Sequence, residues 1–471
     1  MPDKNITILI EKYTEAVQSG KSIYLDADEF VDLAEYYDSL EDPETAREVI
    51  VYGLGIHPDN TSLLIRKAKF EVFDGEYLQG LNILNSISGE YDFDLYLLKI
   101  ECYLQLDQYD DANLLTEELI AKEDSEEPYH VFAELGFLYI EAEYFDESIS
   151  LFRKSLKTNP ENIDVLSDLA YSYEMIEDYE SAIETTNKIL DIEPYTYEAW
   201  INLGKLHSLT EDFEKAIDAF DFAFTINDSD KTILKLKAHC MSLSDRTEEA
   251  IDIFNELLLA DQEDFSLYFL LAECYQARNM YDEALKNLNR YEELAGETIE
   301  LIEKKAFLLL QKEDYQKAED LINKNLLIYP DSSDLNIVAG EIAFKQENFN
   351  EAKYYYSKIY PQNDNNFHLV DRLAILSIKE EDFEKAVFYT EKLLKISPEN
   401  LAIRERLALL YFELDDNVRF NEILGQFTDE ELLSLFRLIY SPQSVHFDRN
   451  MLITYLNKAR ETRTLFKNLK Y

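Results

Sequence analysis

The chain has 471 residues and a formal net charge of −51, from 96 acidic against 45 basic side chains. Such an excess excludes a nucleic-acid binder, which needs a basic face to displace counterions from phosphate. It also argues against docking on an anionic membrane, and it favours a partner with a basic segment. Hydrophobic residues make up 46% of the chain, with 33 Tyr and 27 Phe, so the acidity does not signal disorder.

At the amino end, Ile6 to Ile10 is a short apolar stretch and Glu11 follows at once. The basic start, long apolar run and cleavage site of a secretory leader are missing. No run of about 18 apolar residues occurs that could span a membrane. The expectation is a soluble, cytoplasmic protein whose residues 1–26 hold a capping helix. Gly and Pro number only 11 and 10, which suits helices joined by short turns.

From residue 27 the chain repeats itself. A small residue falls at Ala34, Ala68, Gly136, Ala170, Gly204, Ala238, Ala272, Ala306, Gly340, Ala374 and Ala408, with Ile100 the exception in its column. Twelve residues further on stands a second small residue: Ala46, Gly80, Ala112, Ser148, Ala182, Ala216, Ala250, Ala284, Ala318, Ala352 and Ala386, then Phe420 in a worn copy. The spacing is 34 except for steps of 32 and 36 around Ala112. Two small residues per copy mark two helices that cross closely. A phrase of two acids and an aromatic precedes the second small residue, as in Glu177-Asp178-Tyr179, Glu211-Asp212-Phe213, Glu313-Asp314-Tyr315 and Glu381-Asp382-Phe383. Proline closes several copies, at Pro58, Pro160, Pro194, Pro330 and Pro398.

The copy with Trp200, Leu203, Gly204, Phe213, Ala216 and Phe220 resembles the tetratricopeptide repeat, and the copy with Phe132, Leu135, Gly136, Phe145 and Ser148 is nearly as close. The resemblance covers residues 27–425. It implies an all-α, right-handed α-solenoid of about twelve 34-residue helix-turn-helix repeats, eleven clear and one degenerate. Residues 426–471 are expected to add capping helices, the first opened by a capping box of Thr428 and Glu431 and broken at Ser441-Pro442. A last helix, from about Asp448 to Leu469, carries Arg449, Lys458, Arg460, Arg463, Lys467 and Lys470 against Asp448 and Glu461.

Chemistry-bearing motifs are scarce. Cys102, Cys240 and Cys274 all fall two residues after the first small position, where a small buried hydrophobe belongs. No Cys-x-x-Cys, His-Glu-x-x-His, phosphate-binding glycine loop or nucleophile elbow occurs. The expectation is a protein that is not an enzyme and carries no cofactor and no metal.

The resemblance places ligands on the concave face lined by the first helix of each copy. By position, the partner-binding residues are Glu134, Phe137, Asp168, Tyr171, Glu198, Asn202, Lys205, Lys235, His239, Phe269, Glu273, Glu303, Phe307 and Glu341. These form an acidic groove with aromatic anchors, suited to a protein or peptide partner with a Lys/Arg-rich segment. The clamp by which some members grip a chain-terminal carboxylate needs cations in adjoining copies. Asn202 and Lys205 are followed instead by Thr232 and Leu236. The alternative function is a regulatory or assembly subunit of a larger enzyme or envelope complex, working through the convex face and edges.

Overall fold

A computed structural model describes residues 4–19, 22–88, 92–122, 128–439 and 449–468. Among them the chain is all-α, with 27 helices and no strand. The expected break at Ser441-Pro442, the acidic stretch 123–127 and the residues Asp448 and Leu469 lie outside the described residues, as do the side chains of Arg460, Glu461, Arg463, Lys467 and Lys470.

Two compact units divide the chain, Met1–Ile253 and Phe254–Tyr471. In the first, α1 (Lys4–Ser19) precedes six helix pairs. These are α2 (Ala27–Ser39) with α3 (Pro43–Ile56), α4 (Thr61–Phe73) with α5 (Tyr77–Ser86), and α6 (Phe93–Gln105) with α7 (Tyr109–Lys122). Then come α8 (Tyr129–Glu141) with α9 (Phe145–Thr158), α10 (Ile163–Met175) with α11 (Tyr179–Ile192), and α12 (Tyr197–Leu209) with α13 (Phe213–Ile226). The helix α14 (Lys231–Leu243) follows, and α15 (Thr247–Ala260) carries the boundary.

The second unit continues with α16 (Phe265–Ala277) and α17 (Tyr281–Ala295), α18 (Ile299–Gln311) and α19 (Tyr315–Leu326), and α20 (Ser333–Lys345) and α21 (Phe349–Ile359). Two more pairs are α22 (Phe367–Lys379) with α23 (Phe383–Ile396) and α24 (Leu401–Glu413) with α25 (Asn417–Gln426). Last come α26 (Asp429–Ile439) and α27 (Arg449–Asn468).

The recurring phrase of two acids and an aromatic builds the turn inside the four pairs that carry it. Its first acid takes the left-handed conformation, at φ 61° for Glu177, 60° for Glu211, 64° for Glu313 and 58° for Glu381. That bend lets the next amide, of Asp178, reach back five residues to the carbonyl of Tyr173 at 2.9 Å, closing the first helix. In two of the four the second acid caps the next helix: the Asp178 carboxylate accepts from the Ser181 amide at 3.2 Å, and Asp382 does the same for Lys385, whereas Asp212 and Asp314 accept from the Lys215 and Lys317 ammonium groups. The aromatic is the first helical residue.

Each pair closes where its small residues meet. Ala34, Ala46, Ala182, Ala216, Ala284, Ala318 and Ala386 have no exposed surface. Gly136 and Gly204 go further, because the rings of Phe152 and Phe220 lie flat on their backbones. A Cβ on either glycine would stand 2.5 Å from a ring carbon. Successive first helices also pack on each other, α2 on α4, α4 on α6, α6 on α8 and α8 on α10. No two second helices approach as closely among the described residues, so the first helices form the inner layer of the first unit.

Apolar faces of α1, α26 and α27 pack on the pairs beside them. Leu9 and Tyr13 of α1 are buried with Phe30 and Leu33. In the second unit, Leu432 and Leu435 of α26 and Leu452 and Leu456 of α27 close a cluster with Leu407, Phe420 and Phe427. The expected capping box is present: the Thr428 amide donates to Glu431 at 2.7 Å, and the Glu431 amide to the Thr428 hydroxyl at 3.3 Å.

Two glycines separate packing from helix propensity. Replacing glycine by alanine in a helix ordinarily stabilises by up to about 1 kcal/mol. Gly55 has open space around its missing side chain, so Gly55→Ala is expected to raise the unfolding midpoint. At Gly204 the Phe220 ring is buried and cannot yield; overpacking costs roughly 1–3 kcal/mol, so Gly204→Ala is expected to lower it. Thermal unfolding followed by circular dichroism checks both signs.

Candidate functional site

The expected site residues all lie on first helices, but the two units treat them differently. In the first unit, Glu134 and Phe137 stand on α8, Asp168 and Tyr171 on α10, Glu198, Asn202 and Lys205 on α12, and Lys235 and His239 on α14. Glu134, Glu198, Asn202 and Lys205 are exposed. Phe137 and Tyr171 each leave 46% of their surface open, a large apolar exposure for aromatics on helices whose other faces are packed. Tyr171 is steadied edge-on by Phe145, with ring centroids 6.2 Å apart. Asp168 is half-buried; burial first, and then Asp164, push its carboxyl above the usual range.

In the second unit, Phe269 and Glu273 stand on α16, Glu303 and Phe307 on α18 and Glu341 on α20. Here the chain supplies its own cations. Lys304 pairs with Glu273 at 2.5 Å and places its ammonium 4.3 Å from the centre of the Phe269 ring. Glu303 is pushed up by burial, then by Asp334 and Glu300.

Glu341 corrects the expectation of an open groove acid. It is 5% exposed, and its carboxylate takes the Arg372 guanidinium side-on at 2.7 and 3.0 Å. It also takes His368 Nε2 at 2.8 Å and the Tyr356 hydroxyl. Burial alone would raise this carboxyl, but the bonds from His368, Arg372 and Tyr356 together outweigh it and hold the pKa at about 2. The reason is register. Arg372 lies 31 residues on, one helix pair away, as Lys304 lies 31 beyond Glu273. The first-helix residue just after the small position therefore meets the next first helix two residues before its small position. Whether that second position holds a cation decides whether the first acid stays available.

The same register pairs Phe137 with Asp168 and Tyr171 with Asn202 in the first unit. No cation occupies those second positions, so the acid and aromatic groups there are not consumed by the chain.

Glu101 on α6 was missed. It sits in the same column as Phe137 and Tyr171, directly after Ile100. Burial, then Glu141, push its carboxyl up to about 6, against a smaller opposing effect of Lys69. The column itself was the signal, hidden because Ile100 breaks the small-residue pattern. Next to it, Arg66 and Lys69 are paired with Asp38 and Asp94.

The other candidate chemistry is structural. Cys102, Cys240 and Cys274 are buried, and burial raises the Cys102 thiol to about 12. His207 is buried and its pKa is lowered by burial. Among the described residues no group of three His, Cys, Asp or Glu is placed to hold a metal ion. Among the described residues no helix is long and apolar enough to cross a membrane.

The tetratricopeptide repeat family matches residues 129–162, 197–230 and 266–295. Curated protein sequences gave no match. Among solved structures, a tetratricopeptide repeat protein from Parabacteroides merdae is similar, at 19% identity over 53% of this chain and 98% of that one, with a TM-score of 0.44. MamA is similar at 22% identity over 34% and 94%, with a TM-score of 0.32. YrrB, a protein of this repeat class with an unusual peptide-binding site, is similar at 18% identity over 39% and 95%, with a TM-score of 0.32.

The Glu101 carboxyl has a measurable consequence. A folded-state value of about 6 against an ordinary 4.5 means that ionisation opposes folding. That cost is absent below the ordinary value, grows as pH rises through 6 and is complete at neutral pH. Glu101→Gln is therefore expected to stabilise the chain by on the order of 1 kcal/mol at neutral pH, with the gain vanishing near pH 4. Paired denaturant titrations at the two pH values check this.

Proposed function

Because this chain is a tetratricopeptide-repeat protein, a helical-repeat scaffold for protein interactions, we propose that its first-helix face binds a Lys/Arg-rich protein segment without catalysis. We read residues 27–425 as the repeat array that carries this face and the segments on either side as caps. The observation that carries the reading is Lys304, held between the Glu273 carboxylate and the Phe269 ring. It is the chain's own instance of a lysine held by an acid and an aromatic. Salt bridge and cation–π attraction act together there on one ammonium group.

On α8 and α10 of the first unit the matching positions hold acids and rings but no such cation. Glu134, Phe137, Asp168, Tyr171 and Glu198 form the surface a ligand's lysines would occupy. Asp168, like Glu101 nearby, is a carboxylate made costly by burial and neighbouring acids. A bound cation lowers that cost, so binding favours ionisation and affinity rises with pH up to the Glu101 value of about 6 and levels off above it. Phe137 and Tyr171 supply anchoring burial; the acids set encounter rate and register.

A dye-labelled lysine-rich peptide, with its glutamate-substituted counterpart as control, tests the proposal by fluorescence anisotropy. Tyr171→Ala and Phe137→Ala are each expected to weaken binding about tenfold, and affinity should fall steadily with added salt. Binding that is indifferent to salt and to both substitutions would sink the reading.

A second reading, assembly through the second-helix side, is favoured by Tyr354 and Phe388. They lie 34 residues apart on α21 and α23 and are 63% and 56% exposed. If that side holds a partner, a Tyr354→Ser, Phe388→Ser chain should elute from size exclusion of native extract at a smaller apparent mass than the parent. Co-elution at the parental mass removes this reading.

A further inference from the structure

We propose that the cleft between α9, α10 and α11 binds a small organic anion, a phosphate or carboxylate on a compact apolar body, through Arg153, Lys157, Lys188 and the hydroxyl of Tyr173. The cleft has a volume of about 360 Å³, within the usual range for small-molecule sites. Its floor is apolar, from Leu156, Leu166 and Leu169, and its rim is cationic. Three cations face it against one acid, Glu184, which pairs with Lys188 at 2.8 Å. In a chain of net charge −51, a local surplus of cations over a cavity is the reverse of the general trend.

Several other cations of the first unit are neutralised. Arg66 and Lys69 are paired with Asp38 and Asp94, and Lys237 with Asp221 at 2.5 Å. Among the described residues no carboxylate pairs with Arg153 or Lys157. The Arg153 guanidinium instead sits 5.4 Å from the centre of the Tyr173 ring, which positions the charge without cancelling it.

Tyr173 is the second, independent sign. It is 95% buried, at 5% relative exposure, yet it lines the cleft, and no hydrogen bond within the described residues takes its hydroxyl. At the same register position the hydroxyl is occupied elsewhere. Tyr139 meets Thr116 at 3.2 Å and Asn113 at 3.1 Å, and Tyr411 donates to Glu391 at 2.6 Å. The Tyr411 cleft is the same structural cleft seven repeats on, with Leu394, Lys395 and Leu407 in the places of Leu156, Lys157 and Leu169. Its Glu391 stands where Arg153 stands here. One cleft thus carries an in-chain carboxylate for its tyrosine, and the other carries an arginine and leaves the tyrosine to a ligand. A bare oxyanion is too small for this volume, so the anion must carry an apolar body that covers the leucines.

Isothermal titration of the full chain with phenyl phosphate, phenylacetate and inorganic phosphate tests the proposal. The expected result is saturable binding of phenyl phosphate or phenylacetate at least tenfold tighter than inorganic phosphate, and the tighter of the two names the anion. Arg153→Ala should weaken it tenfold or more, and Tyr173→Phe three- to tenfold. Tyr173→Phe should leave the thermal midpoint unchanged, whereas Tyr411→Phe should lower it, because only Tyr411 loses a bond. Lys395→Ala, in the matching cleft, should not alter binding. No heat from either aryl anion up to millimolar concentration, or equal binding by the Arg153→Ala chain, would overturn the site. Equal affinity for inorganic phosphate would overturn the apolar body.

Discussion

The close crossing of two helices at paired small side chains is the constraint on which everything else here rests. Where Gly136 meets Phe152 or Gly204 meets Phe220, the ring fills the space that a Cβ would need. Alanine does the same at lower intimacy in most other pairs. The large buried side chains, among them Phe30, Phe152, Phe220 and Phe254, have no exposed surface or almost none, so each pair is a small core bounded by its neighbours. Stability in such an array is close to a sum over adjacent pairs. The chain can therefore grow long without a central core, and the apolar faces of α1, α26 and α27 join the clusters of the pairs beside them.

Fixing the pairs fixes the columns. Where the first helices repeat in register, a residue just after the small position can meet the residue 31 further along, as Glu273 meets Lys304 and Glu341 meets Arg372. Which of these positions stay available then depends on the side chains in two columns and not on any special backbone. Glu273 with Lys304 and Glu341 with Arg372 are closed pairs; Phe137 with Asp168 and Tyr171 with Asn202 are open ones. The same reasoning distinguishes the two clefts on the second-helix side, where Glu391 satisfies Tyr411 and Arg153 leaves Tyr173 unsatisfied. A repeat fold thus makes many equivalent places, and single substitutions decide which are structural and which are available.

The period, the helix pairs, the turn phrase and the Thr428–Glu431 cap were legible in the sequence because each rests on local chemistry: small size, left-handed tolerance, side-chain capping. Single-residue fates were less legible. Glu341 and Glu101 occupy one column and look alike as letters, yet one is held at about 2 by three donors and the other is pushed to about 6 by burial and Glu141. The difference comes from residues on the neighbouring helix, 31 or more positions away, and no single helix contains it. The cationic cleft was hidden for the same reason. Arg153 and Lys157 lie on α9, Tyr173 on α10 and Lys188 on α11, and only packing brings them to one cavity.

The charge of the chain can be reconciled with both faces by distance. At physiological ionic strength, charges are screened over about 8 Å, so an exposed acid acts on its own repeat and the next, hardly beyond. A polyanion such as nucleic acid would meet many acids at once and be repelled. A basic segment laid along the first helices would meet the same acids with the opposite result. A small anion samples only the few residues at one cleft mouth, where three cations face a single acid. The net charge therefore selects by the size of the visitor as well as by its sign: extended ligands read the average, and small ones read the exception.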